Sequence, residues 1–332
     1  MNIQQISENL YRIPIPVPFP MKYIYCYLFK GKEGWEMIDA GFNYPAAQEA
    51  WWEVFSYLEL NPKNIRVIYI THFHPDHFGL AGWMQQVTGA PVYIGMEDYQ
   101  MVTRVWDPQS IQAKRIGEMC TQNGVSAVLS EQIVEHMEKL NKHVLPMPEL
   151  TPLTDQEVLL GNEYWQVIHT PGHSDGHICF YQSKKRVLIA ADHILDKITP
   201  NISLWPGCRS NPLQDYLDSL QKIKLLDVEQ VLPGHGRIIT HLSDRVDEIL
   251  QHHEQRLDKM YSLAKEGRTA YQIADVVFSH KELTPHQWRF AMAETLAHLE
   301  FLVANGKLAK IEDEKIVYAD SGKEEFVYLR NP

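Results

Sequence analysis

Along the first two-thirds of the chain, apolar residues fall in short runs broken by Gly, Pro and other turn formers. The runs at 23–29, 35–38, 66–70, 91–94, 164–169, 178–181 and 187–190 are rich in β-branched and aromatic side chains and predict strands. At 45–58, 79–88 and 213–225 the apolar positions instead recur at helical spacing. Strands mixed with helices in this way predict an α/β protein whose sheets are covered by helices. Residues 97–149 are helix-prone throughout (EDYQMVTRVW, IQAKRIGEMC, SEQIVEHMEKLNKHV) and hold no strand pattern. They read as a helical insertion between two sheet-bearing halves.

The texture changes near Ser243. A long amphipathic helix is predicted over 244–266 and a short one over 269–278. A third opens at Thr284-Pro285, a capping residue followed by Pro at the first helical position, and stops at Asn305-Gly306. AKIEDEKIVYAD then reads as a small hairpin. Helix, helix, helix, hairpin is the order of a winged-helix module, and also of a plain helical cap. The expected division is a main domain over 1–243, with 97–149 as its helical insertion, and a small C-terminal helical, winged-helix-like domain over 244–332.

Composition narrows the class. The 332 residues are 45% hydrophobic and 22% charged, ordinary for a globular protein, which excludes disordered and collagen-like chains. A formal charge of −11 argues against a general nucleic-acid binder, whose surface has to neutralise phosphates. Cys26, Cys120, Cys179 and Cys208 are scattered without a C-x-x-C, as expected of reduced thiols in the cytoplasm. The N-terminal MNIQQISENL lacks the basic start and apolar stretch of a signal peptide, and no apolar run reaches membrane-spanning length. A cytoplasmic protein without a membrane partner is expected.

The densest chemistry lies in RVIYITHFHPDHFG, where an apolar strand ends and His72, His74, Asp76 and His77 follow within six positions. Imidazoles with a carboxylate suit zinc or another borderline divalent metal. One ion cannot easily use all four groups, so the spacing suggests two adjacent metals. Three later fragments place a further candidate where a strand runs out: His173 in TPGHSDGH, Asp192 in LIAADH and His235 in VLPGHG. His177 and His193 beside them read as structural, His169 as a packed core histidine, and His252 and His253 as solvated or interface residues. Trp51, Trp52, Trp83, Trp165 and Trp288 have the spacing of core residues. Trp106 and Trp205 carry a weaker hint of a substrate-facing role.

Taken together, THFHPDH, the later GH, the strand-ending Asp and PGHG resemble the metallo-β-lactamase fold hydrolases, and MIDAG with Asp39 matches their first motif. The resemblance covers about 10–240 apart from the insertion. It implies a four-layer αβ/βα sandwich with His72, His74 and His173 on one metal, Asp76, His77 and His235 on a second, and Asp192 bridging. Asp39 would hold the ligand loops by hydrogen bonds. The implied activity is hydrolysis by a metal-bridging hydroxide, with Asp76 orienting it and accepting a proton. Two divalent ions are expected, zinc first, with iron or manganese as alternatives. True β-lactamases usually carry Cys or Ser where Asp192 stands, so the branch resembled is glyoxalase II-like or lactonase-like, acting on a thioester, ester or lactone. The basic pair that binds glutathione in glyoxalase II has no clear counterpart among Lys259, Lys265, Arg268, Lys281 and Arg289.

The RNA-cleaving members, phosphodiesterases and endoribonucleases with an appended winged helix, are the alternative. Residues 266–332 hold 8 Lys+Arg against 11 Asp+Glu, a poor phosphate-facing surface. A small-molecule acyl substrate is therefore expected, with a homodimer as a possible assembly. The Pro-rich PIPVPFPMKY, after a first strand, reads as a substrate wall or a rigid edge, and with the insertion is expected to overhang the metals.

Overall fold

The computed structural model describes residues 2–278 and 282–322. A seven-stranded sheet forms in chain order. Strands β1 (Gln4–Ser7), β2 (Leu10–Pro16), β3 (Tyr23–Lys30) and β4 (Trp35–Ile38) pair antiparallel. Strands β5 (Ile65–Ile70), β6 (Val92–Gly95) and β7 (Leu150–Leu153) then add in parallel. Parallel neighbours need a crossover, and each crossover here is helical. It is α1 (Pro45–Tyr57) before β5, then α2 (Pro75–Phe78) and α3 (Ala81–Thr88) before β6. Before β7 come α4 (Met96–Trp106), α5 (Gln112–Gln122) and α6 (Ala127–Leu140).

The expected insertion is thus helical, but it does not separate the two sheets. It is the last crossover within the first one. Its end was concealed because β7, LTPL, is a short edge strand interrupted by Pro152 and lacks the β-branched and aromatic residues that mark the others.

The second sheet is built from β8 (Glu157–Leu160), β9 (Glu163–His169), β10 (Ile178–Gln182), β11 (Val187–Ala191) and β12 (Gln230–Pro233), ordered β12-β11-β10-β9-β8. Helix α7 (Pro212–Lys224) carries the parallel crossover from β11 to β12. The period of two along each strand builds the layers. Tyr27 and Phe29 of β3, Tyr69 of β5, Phe180 of β10 and Ile189 of β11 pack into one core between the sheets. Their neighbours Cys26, Leu28, Ile68, Cys179 and Leu188 belong to a second core under the helices. The result is the expected αβ/βα sandwich.

The Pro-rich segment begins inside β2. Pro14 and Pro16 lie beyond the last residue of β2 paired to β1, where a missing N–H costs nothing. The chain then turns, Val17 N donating to Lys22 O at 2.9 Å.

At the C-terminal side, α8 (Leu242–Ala264), β13 (Arg268–Thr269), α9 (Ala270–Phe278) and α10 (Pro285–Ala304) precede the hairpin β14 (Leu308–Glu312) and β15 (Ile316–Asp320). The strands form a small sheet ordered β13-β15-β14, the winged-helix arrangement. Thr284 caps α10: its hydroxyl accepts from Gln287 N at 3.3 Å while Gln287 Oε1 accepts from Thr284 N at 2.9 Å. Lys281 and residues 323–332 of the expected C-terminal domain lie outside the described residues.

Candidate metal centre

Every candidate ligand sits just beyond a strand. His72, His74, Asp76 and His77 follow β5, His173 lies between β9 and β10, Asp192 follows β11 and His235 follows β12. Ligand atoms of His72, His74 and His173 lie within 4.8 Å of one another, and so do those of Asp76, His77, Asp192 and His235. All seven candidates thus gather in two adjacent groups.

Asp192 faces both. Its Oδ1 is 3.3 Å from His77 Nε2, and its Oδ2 is 3.7 Å from both His235 Nε2 and His173 Nε2. His74 Nδ1 and His173 Nε2 face each other at 2.9 Å, and His235 Nε2 is 3.1 Å from Asp76 Oδ2.

The remaining ring nitrogens fix the tautomers. His173 Nδ1 donates to Asn201 O and His235 Nδ1 to Tyr23 O, each at 2.9 Å, and His77 Nδ1 donates to Asp39 Oδ2 at 2.7 Å. The Thr71 hydroxyl spends its one proton on Asp39, 2.9 Å away, so at 3.1 Å it accepts from His72 Nδ1. In its neutral form each of these four imidazoles turns an Nε2 lone pair inward, the arrangement that metal-binding histidines take.

Asp39 also accepts from Thr71 N at 2.8 Å and holds φ +60, a strained conformation for a non-glycine residue. It ties the end of β4 to Thr71 and His77 of the first candidate loop.

Electrostatics agree with a cation-accepting site. Burial, and then His77 beside His72 and His173 beside His74, holds both well below the ordinary imidazole value, so they are neutral. Burial also opposes charge on His77 and His235, but Asp192 leads the carboxylates that raise both. Burial would raise Asp76, yet His77 and His235 bring it down to about 2. Among the described residues the buried His72 Nε2 has no hydrogen-bond partner, and His77 Nε2 and Asp192 Oδ1 meet only each other, at 3.3 Å. Unsatisfied polar atoms converging in this way are costly unless something binds them, and a mixed His/Asp donor set suits divalent ions.

A cavity of about 440 Å³ opens over His74, Asp76, His173 and Asp192. Phe19, Pro20 and Met21 of the Pro-rich turn, Met101 of α4 and Met137 of α6 wall it, so that turn and the insertion do overhang the ligands. Trp106 and Trp205 also line it, a role the sequence only hinted at. Trp51 and Trp165 are core residues as expected, whereas Trp52 is half exposed because it lies on the outer side of α1. His169 is likewise not a core residue: its side chain is 40% exposed and Nε2 donates to Asp175 O. His253 is buried against His298 of α10 rather than solvated, Nδ1 to Nε2 at 3.1 Å.

Sequence reasoning missed Asp98. This fully buried carboxylate, in the first turn of α4, accepts from Phe73 N at 3.0 Å, Ser174 Oγ at 2.7 Å and Gly176 N at 2.7 Å. It joins the loop of His72 and His74 to that of His173. Burial pushes its carboxyl up to about 7 against the pull of the three donors. An acidic residue opening a helix just after a strand was the only signal in the sequence.

Comparison with known proteins decides the family. The family model of the metallo-beta-lactamase superfamily matches residues 21–235, which contain all seven ligand candidates. The chain belongs to the metallo-beta-lactamase superfamily. A second model, the metallo-beta-lactamase-like C-terminal domain, matches residues 257–319. Among superfamily structures, a metallo-beta-lactamase family protein from Thermus thermophilus superposes with a TM-score of 0.85 at 31% identity, covering 95% of this chain and 100% of the other. A probable metallo-hydrolase of Bacillus subtilis, YqjP, is 26% identical over 324 residues, 94% of this chain and 98% of its own. An atrochrysone carboxyl ACP thioesterase of Aspergillus fumigatus is 27% identical over 108 residues, about a third of each chain. The chain is a metallo-hydrolase of this superfamily, with His/Asp clusters able to bind metal ions.

Proposed function

We propose that the protein hydrolyses a thioester, ester or lactone at two divalent metal ions, zinc in first place. His72, His74 and His173 would hold one ion, and Asp76, His77 and His235 the other, with Asp192 shared. The observation that carries this reading is Asp192, whose two oxygens face both ligand groups at the floor of an apolar cavity. When bound, such a pair of cations lowers the pKa of a water toward 7 and polarises a carbonyl oxygen.

The chain supplies the rest. The hydrogen bonds at His72, His77, His173 and His235 fix which lone pairs point inward. Asp76 lines the cavity and, held low, stays an acceptor placed to take a proton and pass it to the leaving group. The aromatic and aliphatic walls exclude water and suit an acyl body. The named thioesterase among the relatives supports the same carbonyl chemistry. The alternative, an RNA phosphodiesterase, finds little support: α10 is buried over much of its surface, including Met292, Leu296, Leu299 and Leu302, leaving no free basic face for a nucleic-acid groove.

Metal analysis of purified protein should give close to two ions per chain, and chelation should abolish turnover. A panel of acyl thioesters, lactones, phosphodiesters and β-lactams then tests the substrate class. Activity on the phosphodiesters alone would reverse the reading. Asp192→Asn should lower kcat by about a thousandfold, the order expected when a metal-centred electrostatic group is lost, and bind less than two ions. Unaltered kinetics would contradict the shared carboxylate.

A further inference from the structure

Arg289, on the cavity wall formed by α10, is a buried cation without an acid. It is 8% exposed and lines the same cavity as His74, Asp76 and Asp192. Its Nε is buried with no hydrogen-bond partner, and no carboxylate pairs with it among the described residues. Other enclosed arginines have partners: Arg12, whose Nε is also unbonded, donates to Gln4 Oε1 at 3.1 Å and Gly236 O at 2.7 Å, and Arg256 lies 3.2 Å from Glu294.

What surrounds Arg289 is aromatic and neutral. Its guanidinium carbon stands 4.2 Å from the ring centre of Phe290 and 5.2 Å from that of Trp205. Nearby Cys120 is pushed up to about 12 by burial and remains a thiol. His136 and His286, with rings 4.5 Å apart, each have a buried Nδ1 without a partner among the described residues. Burial first, then Arg289, brings His286 down to about 3, so it too is neutral. Burial lowers Arg289 itself only to about 10, which leaves it charged at neutral pH. A charge kept out of water without a counter-ion is unfavourable, and one that faces a ligand-sized cavity marks a recognition point.

We propose that Arg289 anchors a carboxylate on the substrate, remote from the carbonyl that is cleaved. The substrate class is then an acyl thioester or ester with an apolar body and a terminal carboxylate. The Phe290 and Trp205 rings, 6.2 Å apart, stand to one side of the guanidinium, and its forked N–H groups match the two oxygens of a carboxylate. The side chains of Met101, Val105, Ile116 and Leu140 between the walls suit the methylene body. This substrate class rests on the hydrolase reading above. The anchor does not, because it can be measured without metal.

The kinetic test uses metal-loaded protein and N-acetylcysteamine thioesters of dicarboxylic acids from glutaric to sebacic, each paired with the neutral acyl thioester of equal length. At the best length, KM for the carboxylated member should be at least tenfold lower. The carboxylated-to-neutral ratio of kcat/KM should fall about 30-fold in Arg289→Met and less in Arg289→Lys. A wild-type protein without that preference, or a preference surviving intact in Arg289→Met, would overturn the anchor. Calorimetric titration of monomethyl adipate into metal-free protein gives the second arm. Wild type should bind at least tenfold more tightly than Arg289→Met, and equal binding would overturn the proposal. If neither thioester of any pair is turned over, the hydrolase reading falls and this titration decides the anchor alone. Arg289→Met should also raise Tm, since it removes an unpaired buried charge. Should it fail to fold, Arg289→Gln is read in the same way.

Discussion

At a metal site, an imidazole is only as well placed as its second nitrogen, and the residues that fix those nitrogens reach across the chain. Tyr23 and Asn201 contribute carbonyls, Asp39 a carboxylate and Thr71 a hydroxyl. The candidate ligands stood out because H-x-H-x-D-H packs four of them into six positions, and the others end apolar strands. Asp98 was not, because its three donors come from residues 73, 174 and 176, which converge only in the fold. Removing it isolates what such a group contributes. Asp98→Ala leaves three buried donors unsatisfied and should cost on the order of 3 kcal/mol of stability. By loosening both ligand loops it should weaken metal binding about 10–100-fold. Urea unfolding of the metal-free protein and competition with a chelator measure the two effects separately. A variant with wild-type metal affinity would show that Asp98 supports the fold and not the site.

Elements meet at this centre through points of close backbone approach. A Cβ on Gly176 would stand 2.3 Å from Asp98 N, and one on Gly234 would stand 2.5 Å from Asp192 Oδ1. The loop before β10 can therefore nest against the start of α4 only with glycine at 176. Gly176→Ala is expected to destabilise by about 3 kcal/mol, as overpacking against backbone does, and to lower metal affinity because the His173 loop is lifted. Urea midpoints and metal titration check this, and a midpoint equal to wild type would mean that the loop yields freely. The same scale shows what the sequence could reveal. Apolar, aromatic-rich runs such as β3 and β10 were readable, as were α8, with its extended apolar stripe, and α10, with its capping box. Strands β7 and β8 were not, since LTPL and EVLL are short and half exposed, and exist because β6 and β9 offer them hydrogen-bonding edges. The place of the 97–149 helices followed from β7 and so was misread with it.

Among the described residues the molecule encloses several imidazoles that burial keeps neutral, and these shape how it responds to acid. Away from the metal ligands, His253 of α8 and His298 of α10 face each other at 3.1 Å, with Tyr216 of α7 packed on His253. Burial, helped by each other's proximity, holds His253 well below its ordinary value. Burial chiefly brings His298 to about 3, against the pull of its bond to Glu294 O. In the unfolded chain both titrate near 6.5. Above that pH neither state carries the charge and stability is unaffected. Below it the unfolded chain takes up protons that the folded one refuses, so stability is lost as pH falls from about 6.5 toward 3. Each such histidine contributes a limiting slope of about 1.4 kcal/mol per pH unit, so the pair contributes about 3 kcal/mol per unit. Because α10 also carries Arg289 and His286 into the cavity wall, the contact that acid weakens is one that shapes the substrate site. Measured relative to His298→Leu, in which the groups of the metal centre titrate alike, the urea midpoint of the metal-free wild type should therefore be level between pH 8 and 7 and fall steadily from 6.5 to 5. His298→Leu should reduce the wild-type slope by about 1.4 kcal/mol per pH unit without moving the point at which it begins. A variant that keeps the full wild-type slope would place the acid response outside the α8–α10 contact.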